Sequence, residues 1–102
     1  MERTIQMKRG DFIASVRRKD GHREKKKLPG YTFSFLGVEF GCSNHYYSGD
    51  EVKQQKYWNL YDLETGRICA DAVSRRSFSY IITPQFVEEL NAAKQKLYKF
   101  EN

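Results

Sequence analysis

Two cysteines, Cys42 and Cys69, are all the chain has, and they stand too far apart for the disulfide framework that staples small secreted domains. Reduced structural thiols are the expectation. The only histidines are His22 and His45; Cys42 and His45 have a Cys-x-x-His spacing, but His22 and Cys69 each stand alone. Structural zinc sites use two close-spaced ligand pairs, so no metal is expected. No apolar run approaches the ~18 residues of a membrane span, and Met1-Glu2-Arg3-Thr4 leads into no signal core. A soluble cytoplasmic protein without a membrane contact is expected.

Catalytic signatures are also scarce. Gly37 and Gly41 bracket a β-like run and precede no helix with a Lys-Ser or Lys-Thr pair, so no phosphate loop is present. Asp50, Glu51, Asp62, Glu64 and Asp71 are scattered without the spacing of a divalent-cation cage. Neither cysteine has a local base to populate its thiolate. His45, Tyr46, Tyr47, Arg75 and Arg76 could serve a metal-independent ribonuclease, which needs a base, an acid and cations, but no motif joins them. The expectation is a non-enzymatic binding protein without a cofactor.

What the chain does have is positive charge and aromatic surface. Over 102 residues, 18 Lys and Arg face 13 Asp and Glu, a net charge of +5, and aromatics make up 15%. The segment from Arg17 to Lys27 carries Arg17, Arg18, Lys19, Arg23, Lys25, Lys26 and Lys27 against Asp20 and Glu24, which accounts for the whole excess. Cations neutralise phosphates and aromatic faces stack on unpaired bases. The candidate nucleic-acid-binding residues are therefore these seven together with Arg75 and Arg76. Tyr46, Tyr47, Tyr57 and Trp58 are the candidate partner-binding residues, since Tyr, Trp and Arg also dominate protein interfaces. Two readings stay open: contact with nucleic acid or a nucleoprotein complex, and inhibition of a host protein machine by a phage- or mobile-element-encoded protein, such as an anti-CRISPR.

One domain fits this length and apolar content. Thr83 as N-cap, Pro84 at the first helical position and Phe86, Leu90, Ala93, Leu97 and Phe100 at helical spacing predict a C-terminal amphipathic helix. Phe78, Tyr80 and Ile82 alternate with Ser79, Ile81 and Thr83 and predict a strand before it, with one strongly apolar face. Tyr57–Leu63 and Arg67–Val73 predict a hairpin turning at Gly66. Phe33 and Phe35 differ in parity from Val38 and Phe40, which predicts a bulge or two short strands at Gly37. Phe12–Lys19 and His22–Leu28 read as a hairpin through Asp20-Gly21, with a short helix capped by Asp11 as the alternative. Gly41–Lys56 reads as a polar functional loop. The predicted fold class is α+β, an antiparallel sheet of four to five strands covered by one C-terminal helix.

Overall fold

The structure, a computed structural model, describes the backbone of residues 5–101 and the side chains of residues 5–96. The chain is α+β. Strands β1 (Lys8–Arg9), β4 (Tyr31–Phe35), β5 (Val38–Ser48), β6 (Glu51–Asp62) and β7 (Ile68–Ala72) form an antiparallel sheet in the order β1-β4-β5-β6-β7, and β2 (Phe12–Arg17) and β3 (Arg23–Leu28) form a second, two-stranded sheet. A 3-10 helix (Arg75–Ser77) and short helix α1 (Phe78–Ile81) lead into the long helix α2 (Pro84–Glu101). Among the described residues no helix is long and apolar enough to cross a membrane.

The two sheets are one bent ribbon. Lys8 pairs with Thr32 and Arg9 with Tyr31, then Phe12 with Leu28, and the same register continues to Arg17 and Arg23. Between these blocks Gly10 donates to the Gly30 carbonyl at 2.9 Å, so the ladder survives the corner. Pro29 brings no N–H to this bend. Gly30 is required there, because a Cβ would collide with the Cys42 carbonyl oxygen of β5. The hairpin arm thus folds under the main sheet and lays Phe12, Ala14 and Leu28 against Tyr61, with Val16, Tyr47 and Leu63 beside them. The Phe12 ring rests where a side chain at position 41 would lie, and Gly41 leaves room for it.

On the opposite face of the main sheet, Phe33, Val38, Phe40, Cys42 and Leu60 form the larger core with Phe78, Ile82 and Val87. Phe33 stacks on Phe40 at 5.4 Å, and Phe86 of α2 approaches Phe40 at 6.3 Å. Thr83 caps α2 as expected, its Oγ1 accepting the Phe86 N–H at 3.0 Å. Lys94 ties the helix to the sheet by bonding Asp62 at 2.9 Å and Glu64 at 3.2 Å. Of the predicted apolar stripe, Phe86 and Leu90 pack on the core, Ala93 is exposed, and the side chains of Leu97 and Phe100 lie outside the described residues.

Three expectations need correction. The segment predicted as a strand at Phe78–Thr83 is helical through Ile81: Ser79 Oγ donates to the Arg76 carbonyl at 2.8 Å and the Ile82 N–H to Phe78 at 3.0 Å. Phe78 and Ile82, four apart, share a face in either conformation; Tyr80 between them decides the matter, and it is 66% exposed. The expected loop at Gly41–Lys56 is instead the long β5–β6 hairpin, turning at Gly49-Asp50 with positive φ only at Gly49 of the two. Its outer half, His45–Ser48 with Glu51–Gln54, pairs only with itself and has little core to report an alternation. Finally, the basic hairpin turns through Lys19-Asp20-Gly21, closed by Arg18 N–H to His22 O at 2.8 Å, rather than through Asp20-Gly21 alone. That one-residue difference decides which face each charge occupies.

At Gly37 the chain makes a tight turn with Leu36 and Gly37 both at positive φ, and Phe33 faces Phe40 while Phe35 faces Val38. The parity change is therefore a two-residue hairpin between β4 and β5, not a bulge.

Candidate nucleic-acid interface

The register of the bent ribbon sorts its residues onto two faces. Phe12, Ala14, Val16, Glu24, Lys26 and Leu28 turn inward, toward the sheet. Outward lie Ile13, Ser15 and Arg17 on β2 and Arg23, Lys25 and Lys27 on β3, four cations with no acid among them. Alternation carries this convex face past the corner residues Asp11 and Pro29 to Arg9 and Tyr31. Along the ribbon it presents five cations against one carboxylate, Asp11.

The two acids within the basic segment are engaged elsewhere. Glu24, on the inward face, receives Arg18 at 2.9 Å and Lys26 at 3.9 Å. Asp20 accepts the His22 N–H at 3.0 Å and so shapes the turn. Arg17, Lys25 and Lys27 pair with no carboxylate among the described residues. Arg23 stays on the ribbon, donating to the Ser15 carbonyl at 3.0 Å, which holds its guanidinium along the convex face.

The other predicted residues separate into distinct places. Lys19 is exposed in the turn and Arg18 beside it. Lys26 sits over the ring of Tyr47 at 5.6 Å, and the Tyr47 hydroxyl donates to the Lys27 carbonyl at 3.0 Å, so this tyrosine is a prop under the basic hairpin. Tyr46 and Tyr57 are exposed on β5 and β6, away from that contact. Trp58 is half-buried against the main core. Arg76 is exposed on the 3-10 helix.

Arg75 makes an arrangement that sequence spacing does not disclose. Its guanidinium lies 3.8 Å over the Tyr31 ring and 5.4 Å from that of Trp58, and the two rings are 6.0 Å apart. From the ribbon, Arg9 donates to the Tyr31 hydroxyl at 3.3 Å. That hydrogen bond holds the Tyr31 hydroxyl below the ordinary tyrosine range and raises Arg9 in turn. Arg9 and Tyr31 were not among the predicted site residues. Carrying the β2–β3 pairing outward through Gly10 and Gly30 was the signal that could have joined them to Lys25 and Lys27.

The thiols and histidines are dispersed. Cys42 is buried beside Met7, with its sulfur 3.9 Å from the Met7 sulfur, and burial pushes its pKa up to about 12. Cys69 on β7 is pushed to about 12 as well, mainly by burial. Both stay protonated at neutral pH, the opposite of a nucleophilic cysteine. His45 Nδ1 is buried without a hydrogen-bond partner among the described residues, and no three His, Cys, Asp or Glu of those residues come together as a metal-ligand set. No known protein family, curated protein or solved structure matches this chain.

Proposed function

We propose that the protein binds nucleic acid through the convex face of its bent ribbon, as a non-enzymatic binding module. The observation that carries this reading is the sorting of charge: Arg17, Arg23, Lys25 and Lys27 share one outward face while Glu24 is held inward by Arg18 and Lys26. A folding role would be served by pairing Arg17, Lys25 and Lys27 with carboxylates, which the described residues do not do, because like charges on neighbouring positions repel. A phosphate backbone supplies the missing counter-charge at every nucleotide. Binding of fluorescent single-stranded and duplex oligonucleotides at low salt tests it. The parent should bind, and Lys25→Glu with Lys27→Glu should abolish binding while leaving the fold intact; no binding of either strand form by the parent refutes the reading.

A second reading, blockade of a protein machine, draws on a separate feature. The self-paired outer half of the β5–β6 hairpin exposes Tyr46 and Val52 beside the acidic tip Asp50-Glu51. A partner recovered equally after nuclease treatment, and lost on Tyr46→Ala but not on Lys25→Glu, would favour it.

A further inference from the structure

We infer that the preferred partner is single-stranded, and that one unpaired base stacks on the guanidinium of Arg75 at the end of the convex track. This rests on the nucleic-acid reading above. The ribbon path from Arg17 to Arg9 spans eight residue steps, about 26 Å at 3.3 Å per residue, and ends beside Tyr31. There the Arg75 guanidinium carbon lies 3.8 Å over the Tyr31 ring and 5.4 Å from the centre of the Trp58 ring. At 3.8 Å the guanidinium is in stacking contact with the Tyr31 ring, which leaves its other side for a ligand. Its half-exposed remainder is a preformed stacking surface, since unpaired bases stack on arginine planes as they do on aromatic ones.

The surroundings favour a base with its phosphate. The 3-10 helix that carries Arg75 has no acid in its first turn and places Arg76 next to it. Across Tyr31, Arg9 already donates to the phenol oxygen and retains further N–H groups for a phosphate. A strand lying on Lys25 and Lys27 and rounding the corner would therefore meet a cation, a flat surface and a second cation in succession. A paired base inside a duplex presents no free face to that surface, which is why strandedness is the discriminating property.

Trp58 is the chain's one tryptophan, so its fluorescence reports on this stack. The test compares a single-stranded oligonucleotide of about twelve nucleotides, within the size range of single-strand sites, with an abasic strand of equal charge and with the duplex of the same sequence. The intact single strand should quench Trp58, and the other two should bind without that quench. Arg75→Ala should weaken binding of the intact strand about tenfold and leave the abasic strand unchanged. Arg75→Lys keeps the charge without the plane and should behave like the alanine variant toward the intact strand. Unchanged duplex affinity in both variants shows that they have folded. If Arg75→Ala weakens intact and abasic strands equally, or weakens neither, the stacking site is refuted while the convex face stands. If the parent binds none of the three, the parent reading and this inference both fall.

Discussion

Gly30→Ala should be among the most damaging single substitutions available, although it adds one carbon. The φ of Gly30 lies outside the left-handed region, so alanine meets no conformational penalty there and the whole cost is steric. Its Cβ would collide with the Cys42 carbonyl oxygen while lying 3.0 Å from the Phe12 ring and 3.1 Å from the Cys42 carbonyl carbon. A flexible side chain could swing away; a main-chain carbonyl in the middle of β5 cannot. Overpacking a core costs about 1–3 kcal/mol when side chains can yield, so about 3 kcal/mol is the lower end here. With an m-value of about 1.5 kcal/mol/M, that moves the urea midpoint down by about 2 M. Gly10, its partner across the corner, is the control: nothing lies within 4 Å of a Cβ there, so Gly10→Ala should be neutral or gain up to about 1 kcal/mol through the unfolded state. Urea melts of the two variants read the difference. A Gly30→Ala midpoint equal to that of Gly10→Ala would mean the ribbon does not fold over Cys42, and the convex face would lose its structural basis.

Three further outcomes follow from the cores and the buried charges. Phe78→Ala should cost about 3–5 kcal/mol because the ring is fully buried under α1, whereas Tyr80→Ala should cost under about 0.5 kcal/mol; equal costs would restore the strand. Removing Lys94 as Lys94→Met strands the buried Asp62 carboxylate and should cost about 3 kcal/mol, with Asp62 and Lys94 replaced together costing less than that single change. Burial alone would lower the Lys94 ammonium, but its bonds to Asp62 and Glu64 outweigh this and raise it, so its contribution is present below the unfolded lysine pKa and fades as pH climbs through the raised folded value. Cys42 and Cys69 act in the same direction at lower pH: thiols held near 12 in the fold ionise near 9 when unfolded, so stability should fall between these values by up to about 1.4 kcal/mol per pH unit for each. Cys42→Ala should flatten that slope in alkaline urea melts, and an unchanged slope would contradict the burial.

Much of the scaffold was legible because local rules and tertiary packing agree there. Thr83-Pro84 starts α2, Gly66 turns β6 into β7, and the basic segment forms the expected hairpin, one residue out of the expected register. The failures have physical causes. Phe78 and Ile82 satisfy strand and helix periods alike, so only the environment of Tyr80 could separate them. His45–Gln54 pairs as a ribbon with little core against it, which removes the apolar alternation by which strands are read. The site was half visible: charge located the hairpin, but the three-residue turn decides that Arg17, Arg23, Lys25 and Lys27 look outward and Lys26 inward. Arg9 and Tyr31 join them only through the bend at Gly10 and Gly30, and Arg75 reaches Tyr31 from a segment more than forty residues away.

The salt dependence of binding tests the convex face most directly. Five cations, Arg9, Arg17, Arg23, Lys25 and Lys27, engaging a single strand should give a slope of log affinity against log salt of about −3.5, at about 0.7 per phosphate contact. Lys25→Ala with Lys27→Ala should bring it to about −2, whereas Lys53→Ala, on the projecting hairpin, should leave it unchanged. A parent slope near zero, or one that the Lys25 and Lys27 pair does not alter, would contradict binding through this face.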